Sequence, residues 1–240
     1  MVLSLPQFLV AVAVVAIGST VQGSVGFGLG LLAAPILMLI DARMVPAPLL
    51  FASLSLTLLM SHRERQSIDL DGLVWALGGR LAGVIAGAAT LAVLAGTDVA
   101  LAFGGIVLAS VALSACGIHV RPRPWTLVAA GTVSGFMGTV SSIGGPPMAL
   151  LYQRSEGPRI RGTLSAFFVV GISLSLASLR VIGRLGVVEL ALAAALLPGV
   201  LIGFMISART SRMLDRGLTR AGILVVSAVA GVVVVLKALW

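Results

Sequence analysis

The chain has 240 residues, 59% of them apolar and only 10% charged, with a mean hydropathy of +1.15. A soluble domain carries roughly a quarter charged residues, so the composition excludes a soluble globular fold and reads as an integral membrane protein. The net charge of +8 does not point to nucleic acid, because the arginines sit in short connections between apolar segments, where helix-flanking anchors sit.

The first element is an uncharged run over residues 5–40, broken in its middle by GSTVQGSVGFGLGLLAAP (18–35). No Lys or Arg precedes it, and it outlasts a signal-peptide core without a cleavage site, so it is read as retained. A polar loop and a helix rich in Ser and Leu follow, then a polar connection with His62, Arg63, Glu64 and Arg65 and apolar windows at 73–95 and 99–116, each long enough for a spanning helix. Past a connection containing RPRP (121–124) comes a second glycine-proline segment, SGFMGTVSSIGGPP (134–147), then further apolar stretches, the last at 217–236. Apolar runs of this length mean helices, since a membrane barrel would alternate. The expected fold is therefore all-α, one membrane domain over 1–240 with about eight hydrophobic segments. The single Cys116 excludes internal disulfides, and His62 and His119 lie in connections, so neither metal nor cofactor is expected.

The chain repeats itself. Shifted by 112 positions, Gln22–Gly26 falls on Ser134–Gly138 and Pro35 on Pro147; shifted by 120, Ile68-Asp69 with Gly79 and Gly83 falls on Val188-Glu189 with Gly199 and Gly203. The halves are 1–120 and 121–240. If each glycine-rich segment crosses once, the Lys and Arg outside the helices divide seven against eight. If each is a hairpin returning to its own side, Arg63, Arg65, Arg121, Arg123, Arg154, Arg159, Arg161, Arg209, Arg212, Arg216 and Arg220 fall together, leaving Arg43, Arg180, Arg184 and Lys237 opposite. Eleven against four obeys the positive-inside rule. Each half is then a re-entrant hairpin plus three crossings, an odd number, and the repeats are inverted. Helices over 7–21 and 28–40 reach only about 20 Å, short of a core of about 30 Å, and meet partway.

At such a tip the backbone leaves helical geometry, which glycine permits, and its free N–H groups must face protein or a watery cavity. Two inverted tips bring two half-helix N-termini, with their positive dipole ends, around one point that favours an anion. The first tip offers Gln22, Gly23 and Ser24 with amides from Gly26 to Gly30. The second offers Ser134, Thr139, Ser141 and Ser142 with amides up to Gly145. The alternative is that glycines only allow tight packing, which is the reading adopted for Gly79, Gly83 and Gly87. All eight acidic residues (Asp41, Glu64, Asp69, Asp71, Asp98, Glu156, Glu189, Asp215) fall near helix ends, which disfavours a mid-membrane proton relay or sodium site. Arg80 alone among basic residues lies well inside a span, where it either attracts an anionic substrate or snorkels to the surface.

The paired segments QGSVGFGLGLLAAP and SGFMGTVSSIGGPP, each followed by a Ser-rich helix and an apolar-acidic pair, resemble the TauE/SafE family of sulfite exporters over nearly the whole chain. The resemblance places Gln22, Gly23, Gly26, Phe27, Gly28, Gly30 and Pro35 in the first family motif and Gly135, Gly138, Gly144, Gly145 and Pro147 in the second. It implies a multi-pass protein of the bacterial inner membrane that exports sulfite, a sulfonate or another small sulfur-containing anion. Leu29, Leu31 and Thr139-Val140-Ser141-Ser142 stand where members are often richer in glycine, which leaves the substrate open.

The expected partners are a small anion and membrane lipid, without nucleic acid, and the sequence is compatible with a homo-oligomer. An embedded enzyme would need a nucleophile, base or metal set that these residues do not assemble. An accessory or assembly protein without transport would keep the fold without needing polar side chains at the tips.

Overall fold

A computed structural model describes residues 3–117, 120–210 and 218–240, with side chains in the last segment from residue 224. His119, Arg212, Asp215 and Arg216, and the side chain of Arg220, lie outside the described residues. Ten α-helices and no strand occur among the described residues: α1 Leu5–Val25, α2 Leu29–Ile40, α3 Ala47–Arg63, α4 Leu70–Val93, α5 Thr97–Ala115, α6 Pro124–Ser141, α7 Gly145–Tyr152, α8 Gly157–Val181, α9 Val187–Thr210 and α10 Leu218–Leu239. Six segments, containing α1, α3, α4, α5, α8 and α9, are long and apolar enough to cross a membrane. The protein is a multi-pass membrane protein.

Small residues set the packing. Along α4, Gly79, Gly83 and Gly87 lie against α6 so closely that a methyl group at either of the first two would strike the carbonyls of Val128 and Thr132. The reverse face is built alike, with Gly131 against the Ala76 carbonyl and Gly135 against that of Arg80. Between α1 and α9, Gly199 meets Val12 and Val15, Gly203 meets Ala16 and Ser19, and Gly23 meets Ser207. In lipid, where tails are as apolar as the side chains, such backbone proximity supplies the van der Waals contact that joins helices. In both pairs residue numbers rise together, so the partners run parallel. The pairing is also reciprocal, since the first helix of each half packs on the fourth of the other.

Contacts at the helix ends orient the bundle. Glu64 after α3 meets Arg161 and Gly162 at the start of α8, Asp69 before α4 meets Arg159 and Thr163, and Ser24 near the end of α1 meets Thr210. These ends therefore share the arginine-rich end of the bundle. The α1–α2 pair enters from the other end and turns back toward it. The α6–α7 pair enters at the arginine-rich end, because α6 runs parallel to α4, and returns there, with the Tyr152 hydroxyl against Gly72.

The hairpin arms are uneven, unlike the matched short helices over 7–21 and 28–40 that the sequence suggests. α1 has 21 residues and α6 has 18, about 31 and 27 Å, whereas α2 has 12 and α7 only 8, about 18 and 12 Å. Helix α1 runs on through Gln22-Gly23-Ser24-Val25 because two arginines take carbonyls its last turn leaves free: Arg63 Nη2 donates to Gly23 O (2.6 Å) and Arg161 Nη1 to Ser24 O (3.3 Å). It stops at Gly26 (φ 102°), and Gly28 (φ 133°) completes the turn, both in backbone regions that a side chain resists. The second break turns on Ser142, which holds φ 64° without being glycine.

Two apolar clusters fill the interior. One gathers Leu29, Leu37, Leu49, Leu56 and Leu196, the other Leu127, Met148, Leu164, Phe167 and Phe168. The hairpin turns lie on the boundary between them.

Candidate functional site

The two turns interlock. Gly30 lies against the Ser142 carbonyl, and a Cβ on Gly145 would come 2.9 Å from that of Phe27. The Leu29 N–H donates to Gln22 Oε1 (3.1 Å), so the Gln22 amide carbonyl caps the start of α2. The next amides, of Gly30 and Leu31, are in the first helical turn and have no acceptor within their own helix. At the second turn, Ser142 Oγ donates to the Pro46 carbonyl (2.9 Å) and the Ile143 N–H to Ser141 Oγ (3.3 Å). Pro146 and Pro147 fall early in α7, where a missing N–H costs nothing but also offers nothing to a ligand.

Arg80 reaches this point from α4 and is only 1% exposed. Its Nη1 donates to both the carbonyl and Oγ of Ser134, each at 2.8 Å, and Ser134 Oγ in turn donates to the Gly144 carbonyl (2.6 Å). The guanidinium lies 5.3 Å from the centroid of the Phe167 ring. Gly138, Gly144 and Gly171 surround it, and a side chain on any of the three would crowd it. Its Nε is buried without a hydrogen-bond partner. Among the described residues the ion pairs are Arg43–Asp41, Arg63–Glu64, Arg159–Asp69 and Arg161–Glu64, so no carboxylate neutralises Arg80. The snorkelling alternative is thus overturned, because α4 turns this residue onto the glycine-lined face of α6 rather than toward a surface.

A cavity of about 30 Å³, space for roughly two waters, opens beside the guanidinium. Of the residues singled out from sequence, Gln22, Phe27, Gly28, Gly30, Arg80, Gly138, Ser142, Gly144 and Gly145 line it. Ser134 stands behind Arg80. The remaining five do other things: Gly23 admits α9, Gly26 caps α1, Ser24 bonds Thr20 and Thr210, Thr139 bonds Ser175, and Ser141 Oγ donates to the Met137 carbonyl. Leu31, Leu50, Ser53, Ile143, Pro146, Phe168 and Ile172 complete the lining. Ser53 and Phe168 come from α3 and α8, and only the Ser-rich character of those helices hints at them.

Toward the arginine-rich end, Glu64 Oε1 accepts from Arg63 Nε (3.1 Å) and Arg161 Nε (3.0 Å). Arg63 Nη1 also donates to Ser207 Oγ (3.1 Å), and its guanidinium lies 5.2 Å from the Phe204 ring centroid. One carboxylate thus couples α3 and α8 to the end of α1 in a single clasp. At the opposite end the Arg43 side chain holds the Asp41 carboxyl below the usual carboxylate range.

A family model described as sulfite exporter TauE/SafE matches residues 10–234. Comparison with curated proteins and with solved structures returned no match.

Proposed function

The chain belongs to the TauE/SafE family of sulfite exporters, and from that premise we propose that it exports sulfite, a sulfonate or another small sulfur-containing anion across a bacterial inner membrane. The anion binds in the cavity between the two hairpin turns. The observation that carries this reading is Arg80, a buried guanidinium with no carboxylate beside it among the described residues. An unpaired charge taken from water costs several kcal/mol even after relaxation, and a bound anion offsets that cost. The roles follow from position. Arg80 supplies the counter-charge, the free amides of Gly30 and Leu31 bind oxygens, and Gln22 holds the start of α2 against α1. Gly138 and Gly144 leave the guanidinium room.

Alternating access follows from inverted halves. The reciprocal pairing of α1 with α9 and α4 with α6, the hairpins entering from opposite ends, and the eleven-to-four division of basic residues support that arrangement. The Glu64 clasp ties the end of α1 to α3 and α8, and in this reading it is the gate toward the arginine-rich end. Opening requires Arg63 and Arg161 to release the carbonyls of Gly23 and Ser24.

The test is sulfite flux in proteoliposomes. Arg80→Gln lowers saturable flux by at least about tenfold while folded protein still accumulates in the membrane. Flux equal to the parent protein's rejects the site.

A further inference from the structure

We infer that the transported species carries a single negative charge, so that the site accepts hydrogen sulfite and sulfonates and rejects dianions of similar size such as sulfate. This rests on the reading of Arg80 as the counter-charge of the substrate. Among the described residues lining the cavity, Arg80 is the one that is charged. The charges clustered at the end of α1, Arg63, Arg161 and Glu64, do not line it and are engaged with each other and with the end of α1. At each break a helix C-terminus and a helix N-terminus lie within a few residues, so their opposite partial charges largely offset one another. What remains is one fixed positive charge.

Scaling then decides the preference. The cost of taking an ion from water grows with the square of its charge, so a dianion pays about four times what a monoanion of the same size does. Its attraction to one guanidinium only doubles. A monoanion leaves the buried site neutral, whereas a dianion leaves a net negative charge among Phe27, Leu31, Leu50, Phe168 and Ile172. Pro146 and Pro147 sharpen the difference by removing two N–H donors from the start of α7 that a dianion would need.

The experiment uses the full chain in proteoliposomes, with labelled sulfite flux challenged by unlabelled methanesulfonate or sulfate at matched ionic strength. Methanesulfonate and sulfate keep their charges across neutrality, whereas sulfite loses its second proton there. Methanesulfonate inhibits at a concentration at least about tenfold below that of sulfate. The half-saturating total sulfite rises as pH is raised through neutrality, because the singly charged form disappears. The inhibitory concentration of methanesulfonate stays level over the same range, which assigns the change to the solute and not to the protein. Sulfate inhibiting as well as methanesulfonate, or half-saturating sulfite that falls with rising pH, overturns the inference and leaves anion transport standing. Absence of saturable sulfite flux overturns the underlying reading, and the inference with it.

Discussion

Replacing Ser134 by Ala tests how the guanidinium of Arg80 is held. The hydroxyl accepts from Arg80 Nη1 at 2.8 Å and donates to the Gly144 carbonyl at 2.6 Å, so one deletion removes one of the two bonds Ser134 makes to Arg80 and the link from it to the second turn. A hydrogen bond to a charged group contributes about 1.5–3 kcal/mol, and a carbonyl left unsatisfied costs about 1–3 kcal/mol. The backbone carbonyl of Ser134 keeps its own bond to Arg80, which lets the side chain relax in place. We therefore expect a net loss near the lower end, about 2 kcal/mol, and a fall in unfolding midpoint of about 4–8 °C for a chain of this size. The assay is thermal unfolding of detergent-purified protein at one scan rate, with and without sulfite, alongside flux. Ser134 positions Arg80 without lining the cavity, so half-saturating sulfite should rise more than maximal flux falls. A variant with unchanged midpoint and unchanged half-saturation would show that the hydroxyl holds nothing and refute the reasoning.

Gly83→Val drives a side chain into the Thr132 carbonyl and should prevent the α4–α6 contact, seen as failure to accumulate folded protein, whereas Gly78→Ala faces open space and should shift the midpoint by less than about 0.5 kcal/mol equivalent. Glu64→Gln removes the carboxylate that Arg63 and Arg161 share, so cysteine probes near the first turn should label faster from the arginine-rich side; unchanged labelling removes the clasp from the mechanism. In a Cys116→Ala background, cysteines at Gln66 and Glu156 should both react from the cytoplasm and one at Arg43 from outside. Opposite-face labelling of the first two would restore a single crossing for each glycine segment.

The all-helical membrane fold was legible because hydropathy in runs of about 20 residues has few other solutions. The two breaks were legible because Gly26, Gly28 and the Gly144-Gly145-Pro146-Pro147 run interrupt apolar sequence where an unbroken helix would be simplest. The length of α1 was not. Its last turn survives only because Arg63 and Arg161, 40 and 137 residues away, cap the carbonyls of Gly23 and Ser24, a tertiary effect that no local pattern carries. The orientation of Arg80 depended in the same way on α6 presenting bare glycine at Gly131, Gly135 and Gly138. Leu50, Ser53, Phe168 and Ile172 reach the cavity by packing of α3 and α8, and nothing in their neighbourhoods separates them from ordinary core residues.

The most direct test of an anion seated on Arg80 is a crystal structure of the protein soaked in selenite, the heavier analogue of sulfite, read by the anomalous signal of selenium. With the anion seated there, a peak is expected between the hairpin turns, within hydrogen-bonding reach of the Arg80 guanidinium, that disappears in Arg80→Gln. A peak confined to Arg63 and Arg161, or one that persists between the turns without Arg80, would contradict it.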